Sequence, residues 1–304
     1  MMTAQATYHE PVLLQQSVEA LVIDPQGTYV DATFGGGGHS RAILARLGAQ
    51  GALIAFDRDA DARANAPIDP RFTLVASDFR WVANQLRFLG KWPVDGLLAD
   101  LGVSSHQFDT PERGFSFRFD APLDMRMNQG AKRSAADLLN TLDEADLAKI
   151  FKDYGEVAQA RRAARAIVAE RARAPIATTG QLAALLRPLA RRGDEHGFLA
   201  QVFQALRIAV NDELGALRQL LHDSARMIRP GGRLVVISYH SLEDRLVKNW
   251  MRAGNMEGHE QKDLYGNSLR PFSPVGGKAV QASEEEMDRN PRARSARMRT
   301  ATRR

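Results

Sequence analysis

Four consecutive glycines at residues 35–38 constrain the fold of this sequence more than any other feature. They follow a β-branched and apolar run that ends at Asp31, and a helical pattern begins at Arg41. Strand, glycine turn and helix in this order are typical of a nucleotide-type cofactor site at the mouth of a parallel sheet. A plain tight turn is an equally good interpretation of isolated glycines, so the flanking residues have to decide between the two.

Acidic residues stand at the ends of several strand-like segments. The sequence predicts strands over residues 28–33, 51–57, 71–76 and 95–100, separated by helical patterns. Such an alternation indicates a parallel, doubly wound sheet, which binds its ligands at the carboxyl ends of the strands. We therefore expect Asp31, Asp57 and Asp100 to converge on one crevice.

The glycine spacing argues against a dinucleotide or a phosphate-binding loop. The third glycine of G-x-G-x-x-G is replaced by Ser40 or Arg41, and no lysine follows to complete a P-loop. Asp57 stands 20 residues after Gly37, the spacing at which an acidic side chain accepts ribose hydroxyls. A glycine loop flanked by acids suits S-adenosylmethionine, which carries a sulfonium, an amino group and a ribose diol. These features favour a methyltransferase over a dehydrogenase.

Basic residues are concentrated in two segments of the chain. Residues 161–192 contain eight arginines and one acid, and residues 289–304 contain seven arginines and no acid. Each segment carries a charge of +7 in a chain whose net charge is +5, so the remainder is acidic. This distribution suggests an anionic polymer as the partner. A solvated helix face and a disordered tail are the alternative.

Composition excludes several other classes of protein. The chain has no cysteine, which excludes disulfides, thiolate zinc sites and cysteine nucleophiles, and which is compatible with a cytoplasmic location. No apolar run approaches the roughly 18 residues of a membrane helix, and no signal segment opens the chain. We expect no membrane partner, and the motifs require no metal.

Helical patterns dominate the middle of the chain. We expect a first helix over 8–21 with Pro11 in its opening turn, a helix that opens at a Thr141–Glu144 capping box and runs through Lys152, and a linker at 193–197. Three further helices are expected. The first covers 156–173, the second runs from a cap at Thr178 or Thr179 to about 191, and the third covers 198–228 and is followed by a strand over 233–238. The helices thus interrupt one sheet domain, which we expect to comprise residues 1–107 and 205–304, with a basic tail over about 289–304. The helical insertion, residues 108–204, is well placed to hold a substrate.

Aromatic and basic residues alternate just after the fourth expected strand. Arg113, Phe115 and Phe117 lie in a segment that could stack on a base and contact phosphate. Packing of the phenylalanines into a core is at least as good an interpretation for any single residue.

Seven motifs occur along the chain in a characteristic order, at residues 31–40, 100–105, 113–117, 123–127, 203–208, 240–245 and 290–295. Together they resemble the bacterial ribosomal RNA small-subunit methyltransferase H family (RsmH, also called MraW), over nearly the whole chain. The resemblance implies a class I (Rossmann-like) S-adenosylmethionine-dependent methyltransferase fold with an inserted all-helical domain. It also implies N4-methylation of one cytidine of 16S rRNA, near the decoding centre of the small ribosomal subunit.

The resemblance also implies which residues contact the cofactor. Asp57 is the expected ribose partner, Phe79 would lie near the adenine, and His39 belongs to the glycine loop. Taken singly, Phe79 could equally be a core residue and His39 a helix N-cap. The full set of cofactor contacts implied by the family comprises Gly37, Gly38, His39, Asp57, Phe79, Asp100 and Gln107.

The chain departs from the family pattern at two places. The family usually has His-Pro-Ala-Thr-Arg before its Phe-Gln-Ala motif, whereas residues 197–201 place Gln201 at the arginine position and leave His196 one position out of register. Asn128 occupies a place that is often Asp. If the missing arginine contacts RNA or orders the linker, affinity or activity is weakened here.

Two residues are candidates for the substrate side of the reaction. Asp100 stands where amino-methyltransferases commonly place an acceptor for the amine proton, although the family assigns it to the cofactor, which is the role we favour. His240, just past the last expected strand, is the second candidate. For RNA phosphates we expect contacts from Arg161 and Arg165 of the insertion. Contacts are likewise expected from Arg292, Arg294 and Arg297 of the tail. Deletion of residues 289–304 should therefore weaken binding to the small ribosomal subunit and leave cofactor affinity intact.

Two other functions remain open from the sequence. One is a non-catalytic ribosome-assembly factor with a retained cofactor pocket, which the altered stretch at 197–201 allows. The other is a methyltransferase that acts on a protein or a small molecule, against which the two basic segments argue.

Overall fold

The computed structural model of the protein describes residues 11–304 and divides the chain into two units. The first, called here the sheet unit, comprises the chain up to Gly102 and from Leu214 to Arg304. The second, the helical unit, comprises Val103–Glu213. None of the helices within residues 11–304 combines the length and the hydrophobicity that a bilayer-crossing segment needs.

The sheet unit is built on one seven-stranded sheet with the order β3-β2-β1-β4-β5-β7-β6. Strands β1 to β5 pair in parallel, and β7 runs antiparallel to its neighbours β5 and β6. The strands are β1 (Thr28–Asp31), β2 (Ala52–Asp57), β3 (Phe72–Ala76), β4 (Val94–Asp100), β5 (Ile228–Ser238), β6 (Phe272–Val280) and β7 (Arg297–Arg303). The predicted α/β class is therefore confirmed, and the five predicted strands are parallel, with limits shifted by a few residues. Strands β6 and β7, which add antiparallel pairs at one side of the sheet, were not predicted.

The central strands consist of apolar residues because both of their faces are covered. In β4 the run from Gly96 to Ala99 is buried, and in β5 the run from Leu234 to Ser238 is buried. Strand β1 ends at Asp31, two residues earlier than predicted, because Thr33 already belongs to the turn that leads into the glycines. Since β1, β2 and β4 are parallel neighbours, their acidic ends lie at one edge of the sheet.

The helices of the sheet unit include α1, which is shorter than predicted. It begins at Leu14, and Pro11 precedes it, because Leu13 has a left-handed backbone (φ 54°) that separates the two. The predicted start at residue 8 lies outside the described residues. The helices are α1 (Leu14–Leu21), α2 (Gly38–Arg46), α3 (Val82–Phe88), α10 (Glu213–Met227, whose first residue belongs to the helical unit), α11 (Ser241–Ala253) and α12 (Glu284–Arg289).

The helical unit packs its helices around a core of its own. This core includes Leu147 and Phe151 from one helix, Ile167 from the next, and Val202 and Leu206 from a third. The helices are α4 (Ser105–Asp109), α5 (Ala135–Thr141), α6 (Glu144–Gly155), α7 (Ala160–Arg171), α8 (Thr179–Leu186) and α9 (Glu195–Asn211).

The predicted capping box at Thr141 is wrong. Thr141 is the last residue of α5, and its hydroxyl donates to the carbonyl of Asp137. The N-cap of α6 is Asp143, whose carboxylate accepts from the backbone N–H of Asp146 at 2.8 Å. Asp143 is as good an N-cap residue as Thr141. Since Thr141 is still part of α5, the next helix can begin only after Asp143. At α8 the cap is Thr178, in a capping box with Gln181.

The predicted linker and the long helix after it are also corrected. Helix α9 already begins at Glu195, inside the predicted linker, so the helix takes in Gly197. The single helix predicted over 198–228 is two helices, because Asp212 adopts a left-handed backbone (φ 47°) that ends α9. Likewise Glu156 (φ 52°) ends α6, so α7 starts at Ala160 and not at 156.

The basic tail is an ordered part of the sheet. Residues Arg297–Arg303 form β7, which lies between β5 and β6. Arg299 makes two hydrogen bonds with the carboxylate of Asp244, at 2.7 and 3.0 Å, and Arg303 donates to the carbonyls of Ala225 and Pro271. The alternative of a disordered tail is therefore wrong for these residues. A deletion of residues 289–304 would remove this interior strand, so we no longer expect it to leave cofactor affinity intact.

Candidate functional site

The carboxylate that ends β1 organises the glycine turn. Asp31 is buried, and its oxygens accept from the backbone N–H of Thr33 at 3.1 Å and from the Ser40 hydroxyl at 2.6 Å. Burial raises the pKa of the Asp31 carboxyl. Because Asp31 is only 1% exposed and both of its oxygens serve the turn and the start of α2, it shapes the loop from inside, whereas we had expected it to converge with Asp57 and Asp100 on the crevice.

Two of the four glycines meet requirements that other residues cannot. Gly35 and Gly37 have φ angles of 51° and 74°, in the left-handed region that favours glycine. At Gly37 a Cβ would also lie 2.8 Å from the ring of Phe34, so both steric clash and the backbone conformation exclude a larger residue there. The loop therefore forms a tight turn that ends at the N-terminus of α2, where backbone N–H groups point outward.

Two polar side chains hold the carbonyl groups of this loop. Arg41 donates from Nη2 to the carbonyl of Gly36 at 2.7 Å, and Asn65 donates from Nδ2 to the carbonyl of Gly35 at 3.1 Å. Sequence reasoning missed both residues. The position of Arg41 in the first turn after the glycines was a usable signal, whereas nothing local points to Asn65.

Asp57, at the end of β2, is tied to the glycine loop. Its Oδ2 accepts from the backbone N–H of Gly35 at 2.7 Å, and its Oδ1 accepts from the backbone N–H of Asp59 at 2.8 Å. Burial, only partly opposed by these hydrogen bonds, raises the pKa of Asp57 to about 6. A carboxylate offers about four acceptor positions, so Asp57 retains capacity for further donors such as a diol.

Asp100, at the end of β4, has an oxygen that is buried and has no hydrogen-bond partner among the described residues. This atom is Oδ1; the other oxygen, Oδ2, lies 3.8 Å from His39 Nδ1. The side chain as a whole is 20% exposed, so the carboxylate reaches solvent while its Oδ1 is turned inward. Burial raises the pKa of Asp100, against the opposing effects of His39 and of the Tyr239 phenol.

His39 is fixed in a definite orientation beside Asp100. Its Nε2 is 3.2 Å from the carbonyl of Val12, and since a carbonyl oxygen only accepts, Nε2 carries the hydrogen. The side chain is buried, in the second residue of α2. The alternative of an N-cap role is therefore wrong, because Gly37 occupies that position.

Tyr239 completes the surroundings of Asp100 and was missed by the sequence analysis. Its pKa is raised well above the usual value by burial and by the neighbouring Asp100, with which its phenol interacts. The ring packs directly over Gly102, where a Cβ would lie 2.8 Å from Tyr239 Cε2. The phenol thus supplies a buried hydrogen-bond donor to the carboxylate, and Gly102 is the residue that makes room for it.

Of the three remaining expected cofactor contacts, Gly38 is the first residue of α2, and the other two lie in different units. Phe79 is half-buried in a single 3-10 turn after β3, which is capped by the carboxylate of Asp78. Gln107 is buried in the helical unit, where its side chain and Ser104 form a capping box at α4. The structure therefore brings Gly37, His39, Asp57, Phe79 and Asp100 to one edge of the sheet unit. The role of each toward a cofactor remains a prediction.

His240 has a local structural role at the start of α11. Its Nδ1 accepts from the backbone N–H of Glu243 at 3.4 Å as the N-cap. Its Nε2 lies 3.1 Å from Glu243 Oε1, at an angle that makes no hydrogen bond, so the contact is an ion pair only when the ring is protonated. Both nitrogens thus face Glu243, which gives little support to His240 as the acceptor on the substrate side.

The aromatic and basic residues after β4 are largely internal to the helical unit. Arg113 is buried and donates to the carbonyls of Arg126 and Met127, and Phe115 is only 4% exposed. Phe117 is half-buried, with its ring edge-on to the rings of Phe203 and His196. Core packing is therefore the correct interpretation for Phe115, and Arg113 is held inside the unit by two backbone carbonyls, so of the three only Phe117 keeps an accessible face.

Asn211 holds the segment at residues 123–127 in place and was not singled out from the sequence. Its side chain accepts from the backbone N–H of Met127 at 2.8 Å and donates to the carbonyl of Met125 at 2.7 Å. Met125 has a left-handed backbone (φ 60°), which these bonds stabilise. Leu123, Met125 and Met127 of this segment thus form part of the core of the helical unit.

The expected RNA-binding arginines differ in accessibility. Arg161 is exposed on α7, and Arg165 is exposed with Nε 3.5 Å from Glu144. In the tail, Arg294 and Arg297 are exposed, whereas Arg292 is half-buried. Four of these five side chains are therefore available to a polyanion.

Comparison with known proteins is consistent with this geometry. A sequence profile described as the MraW methylase family matches residues 6–304. The chain is 54% identical to Ribosomal RNA small subunit methyltransferase H of Parabacteroides distasonis, over 97% of this chain and 97% of that protein. Proteins with the same name from Cytophaga hutchinsonii and Phocaeicola vulgatus are 56% and 53% identical, over 97% and 100% of this chain and 99% and 100% of their own lengths.

A solved structure described as an rRNA methylase from Streptococcus thermophilus also aligns, over 95% of this chain and 92% of that one. At 11% identity and a TM-score of 0.38, the likeness is too weak to carry an argument. The profile match, by contrast, spans nearly the whole chain, and the seven-stranded sheet agrees with the class I methyltransferase fold that the resemblance implied. The chain belongs to the MraW methylase family.

Proposed function

We propose that the protein transfers a methyl group from S-adenosylmethionine to N4 of a cytidine in 16S rRNA, near the decoding centre of the small ribosomal subunit. The observation that carries the choice of reaction is the unpaired, buried Oδ1 of Asp100 at the edge of the sheet that also holds the glycine loop. The choice of substrate is supported by the relatives, whose name refers to the RNA of the small subunit.

The residues at this edge suit the chemistry of the cofactor. A buried carboxylate oxygen without a partner is costly unless a donor or a cation meets it, and the cofactor carries an ammonium group and a sulfonium. Asp57 would accept from the ribose hydroxyls, and the outward N–H groups at the start of α2 would receive the carboxylate of the methionine moiety. Gly35 and Gly37 allow the backbone to come close to the ligand.

When bound, S-adenosylmethionine supplies a methyl group that is activated by the positive sulfur. The chain's own contribution is positioning, since holding two reactants about 3–3.5 Å apart in line removes roughly 7–11 kcal/mol of the barrier. The N4 amino group of cytosine is a poor nucleophile because its lone pair is delocalised into the ring. Hydrogen-bond acceptors on its N–H bonds would localise that lone pair. Asp100 is our first candidate for such an acceptor, although we favour its role toward the cofactor.

The RNA has to present the base to the crevice. Extruding a base costs a few kcal/mol, and the cost is least where the base is already unpaired. Arg161, Arg165, Arg294 and Arg297 are exposed and would neutralise phosphates, which predicts a steep dependence of binding on salt. An enzyme of this kind would work in the cytoplasm, where ribosomal subunits are found, and nothing in the chemistry calls for a metal.

The proposal is tested on small subunits isolated from a strain that lacks the gene. The subunits are incubated with the protein and with cofactor labelled on the methyl group, and the nucleosides are then separated. N4-methylcytidine is the expected product, at a single position and with the Asp100→Asn variant inactive. Absence of this product, with the cofactor still bound in calorimetry, would refute the proposed reaction and leave a non-catalytic assembly factor or a methyltransferase with another substrate.

A further inference from the structure

We propose that a basic cavity between α11 and β6 binds a backbone phosphate of the RNA substrate. The cavity belongs wholly to the sheet unit and is lined by Lys248 and Arg252 of α11, by Gly276, Gly277 and Lys278 of β6, and by Arg299 of β7, among others. This inference deepens the proposed function, since it takes the partner to be RNA and adds a place where that RNA is held.

The cavity exists because β6 bulges away from its neighbour. Val275 pairs with Thr300 and Val280 pairs with Met298, so the four residues 276–279 of β6 stand opposite the single residue Arg299. Gly276 has a φ angle of 78°, and a Cβ at Gly276 or Gly277 would meet no atom within 4 Å. A bulge re-aims side chains and ends regular pairing, and here it opens a cavity between the strand and the helix that packs on it.

The cavity is strongly cationic. Four of its ten lining residues are basic, and none of the described residues that line it is acidic. The guanidinium of Arg299 is already paired with Asp244, which leaves Lys248, Arg252 and Lys278 as the groups that determine the charge. Arg252 donates to the carbonyl of Gly258 at 3.1 Å, which orients its side chain without neutralising it. Three like charges brought together in this way repel one another unless an anion lies between them.

The size and openness of the cavity favour a phosphate that is part of a polymer. Its volume is about 90 Å³, several times the roughly 10–15 Å³ that one water needs, so a tetrahedral anion fits. Lys248, Arg252 and Lys278 are all exposed, whereas sites for small molecules normally bury 70–90% of their ligand. An open cationic cavity of this kind suits a contact that orients a backbone and does not enclose a whole molecule.

The cavity is separate from the cofactor edge but belongs to the same sheet. Arg299 pairs with Val236 of β5, which in turn pairs with Ala99, the residue before Asp100. Strands lie about 4.8 Å apart, so three strand spacings place β6 roughly 14 Å from β4. A segment of a few nucleotides covers this distance, so one RNA could occupy the cavity while its target base reaches the crevice.

The test compares two variants that lose the same charge. Lys248→Gln/Arg252→Gln/Lys278→Gln removes the three cations of the cavity, and Lys91→Gln/Arg218→Gln/Arg226→Gln removes three exposed cations elsewhere in the sheet unit. Binding to small subunits is measured by sedimentation at several salt concentrations, and cofactor affinity by calorimetry. We expect the cavity variant to bind subunits about tenfold more weakly, with the slope of log K against log salt reduced by about 0.7–0.9 for one lost phosphate contact. The control should change less than twofold, and cofactor affinity should be unchanged in both.

A second measurement uses the wild-type protein and does not depend on how the variants fold. The reactivity of Lys248 and Lys278 toward an acetylating reagent is compared with that of Lys91, with and without small subunits. Protection of the two cavity lysines by subunits, but not by inorganic phosphate at the same ionic strength, supports an RNA phosphate. Equal protection by inorganic phosphate would identify a site for the free anion and overturn the proposal.

The outcomes separate this inference from the proposed function. Full methylation and unchanged subunit binding by the cavity variant would overturn the inference and leave the proposed function intact. If the wild-type protein forms no N4-methylcytidine but the cavity variant binds subunits more weakly than the wild type does, the reaction is refuted and the cavity is still supported as an RNA contact. Failure of the wild-type protein to bind subunits at all would overturn the inference.

Discussion

The backbone N–H of Gly35 donates to Oδ2 of Asp57 at 2.7 Å, so the glycine turn after β1 is joined to the carboxylate that ends β2. The same carboxylate accepts from the N–H of Asp59 through Oδ1. One half-buried side chain thus fixes the positions of two turns at the edge of the sheet. The pH dependence of stability follows from this arrangement.

Asp57 should make the protein less stable as the pH rises from about 4 to about 6. The pKa of this carboxyl is 3.8 in the unfolded chain and about 6 in the folded protein, so within that window only the folded state holds the proton. Each pKa unit corresponds to about 1.4 kcal/mol, so up to about 3 kcal/mol of unfolding free energy is lost on crossing the window, and none beyond it. Urea titrations of the wild type and of Asp57→Asn across this range should diverge by that amount. Parallel curves would refute the assignment.

Asp100→Asn should weaken cofactor binding without weakening the fold. The substitution removes a charge that is costly to bury, so the unfolding free energy should stay the same or rise. A hydrogen bond to a charged group contributes about 1.5–3 kcal/mol, so calorimetry should show a loss of affinity for S-adenosylmethionine of roughly 10- to 100-fold. Tyr239→Phe, which keeps the charge and removes only the neighbouring phenol, serves as the control and should lose less. Equal affinities for wild type and Asp100→Asn would exclude a direct contact.

Gly102→Ala should destabilise the protein by about 1–3 kcal/mol. The new Cβ would lie 2.8 Å from Cε2 of Tyr239, a ring atom that cannot move aside without displacing the whole side chain. Gly277→Ala, where a Cβ meets no atom within 4 Å, is the matched control and should leave the melting temperature nearly unchanged. If the two variants melt at the same temperature, Tyr239 does not pack on Gly102 as described.

Truncation after Ala296 should unfold the sheet unit. The deletion removes β7, which pairs with β5 on one side and β6 on the other, and with it the Arg299–Asp244 ion pair. Circular dichroism should show a loss of the cooperative transition. Arg294→Gln/Arg297→Gln, which removes two exposed charges and keeps the strand, should retain the wild-type melting temperature and bind subunits more weakly. A truncated protein that still binds cofactor would show that β7 is dispensable.

Asn211→Ala should destabilise the helical unit. It leaves the N–H of Met127 and the carbonyl of Met125 without their partner, and each unsatisfied buried group costs about 1–3 kcal/mol. Hydrogen exchange at Met127 should accelerate markedly in the variant. Asn211→Asp, which keeps the acceptor for Met127 and loses the donor to Met125, should retain part of the protection. Unchanged exchange in both variants would contradict the proposed role of this amide.

Much of the sheet edge was predictable because its signals are local. An apolar run that ends in an acid marks a strand end, and parallel pairing then places Asp57 and Asp100 at the same edge. The left-handed turns at Gly35 and Gly37 follow from the side chain that glycine lacks. Local signals do not show where a side chain finds its partners, so Asp31 was expected to face a ligand although both of its oxygens bind its own turn.

The sequence by itself thus determined the first five strands and their alternation with helices, the acidic ends of the strands and the family. Only the tertiary structure decided that α9 ends at Asp212, that Phe115 lies in a core and that the arginine-rich tail is β7. The reason is that β7 pairs with β5, whose residues stand about sixty positions earlier in the chain, for example Arg297 with Ser238. Such pairing depends on which strand edge remains open after the rest of the sheet has formed, and no local pattern of charge or hydrophobicity contains that information.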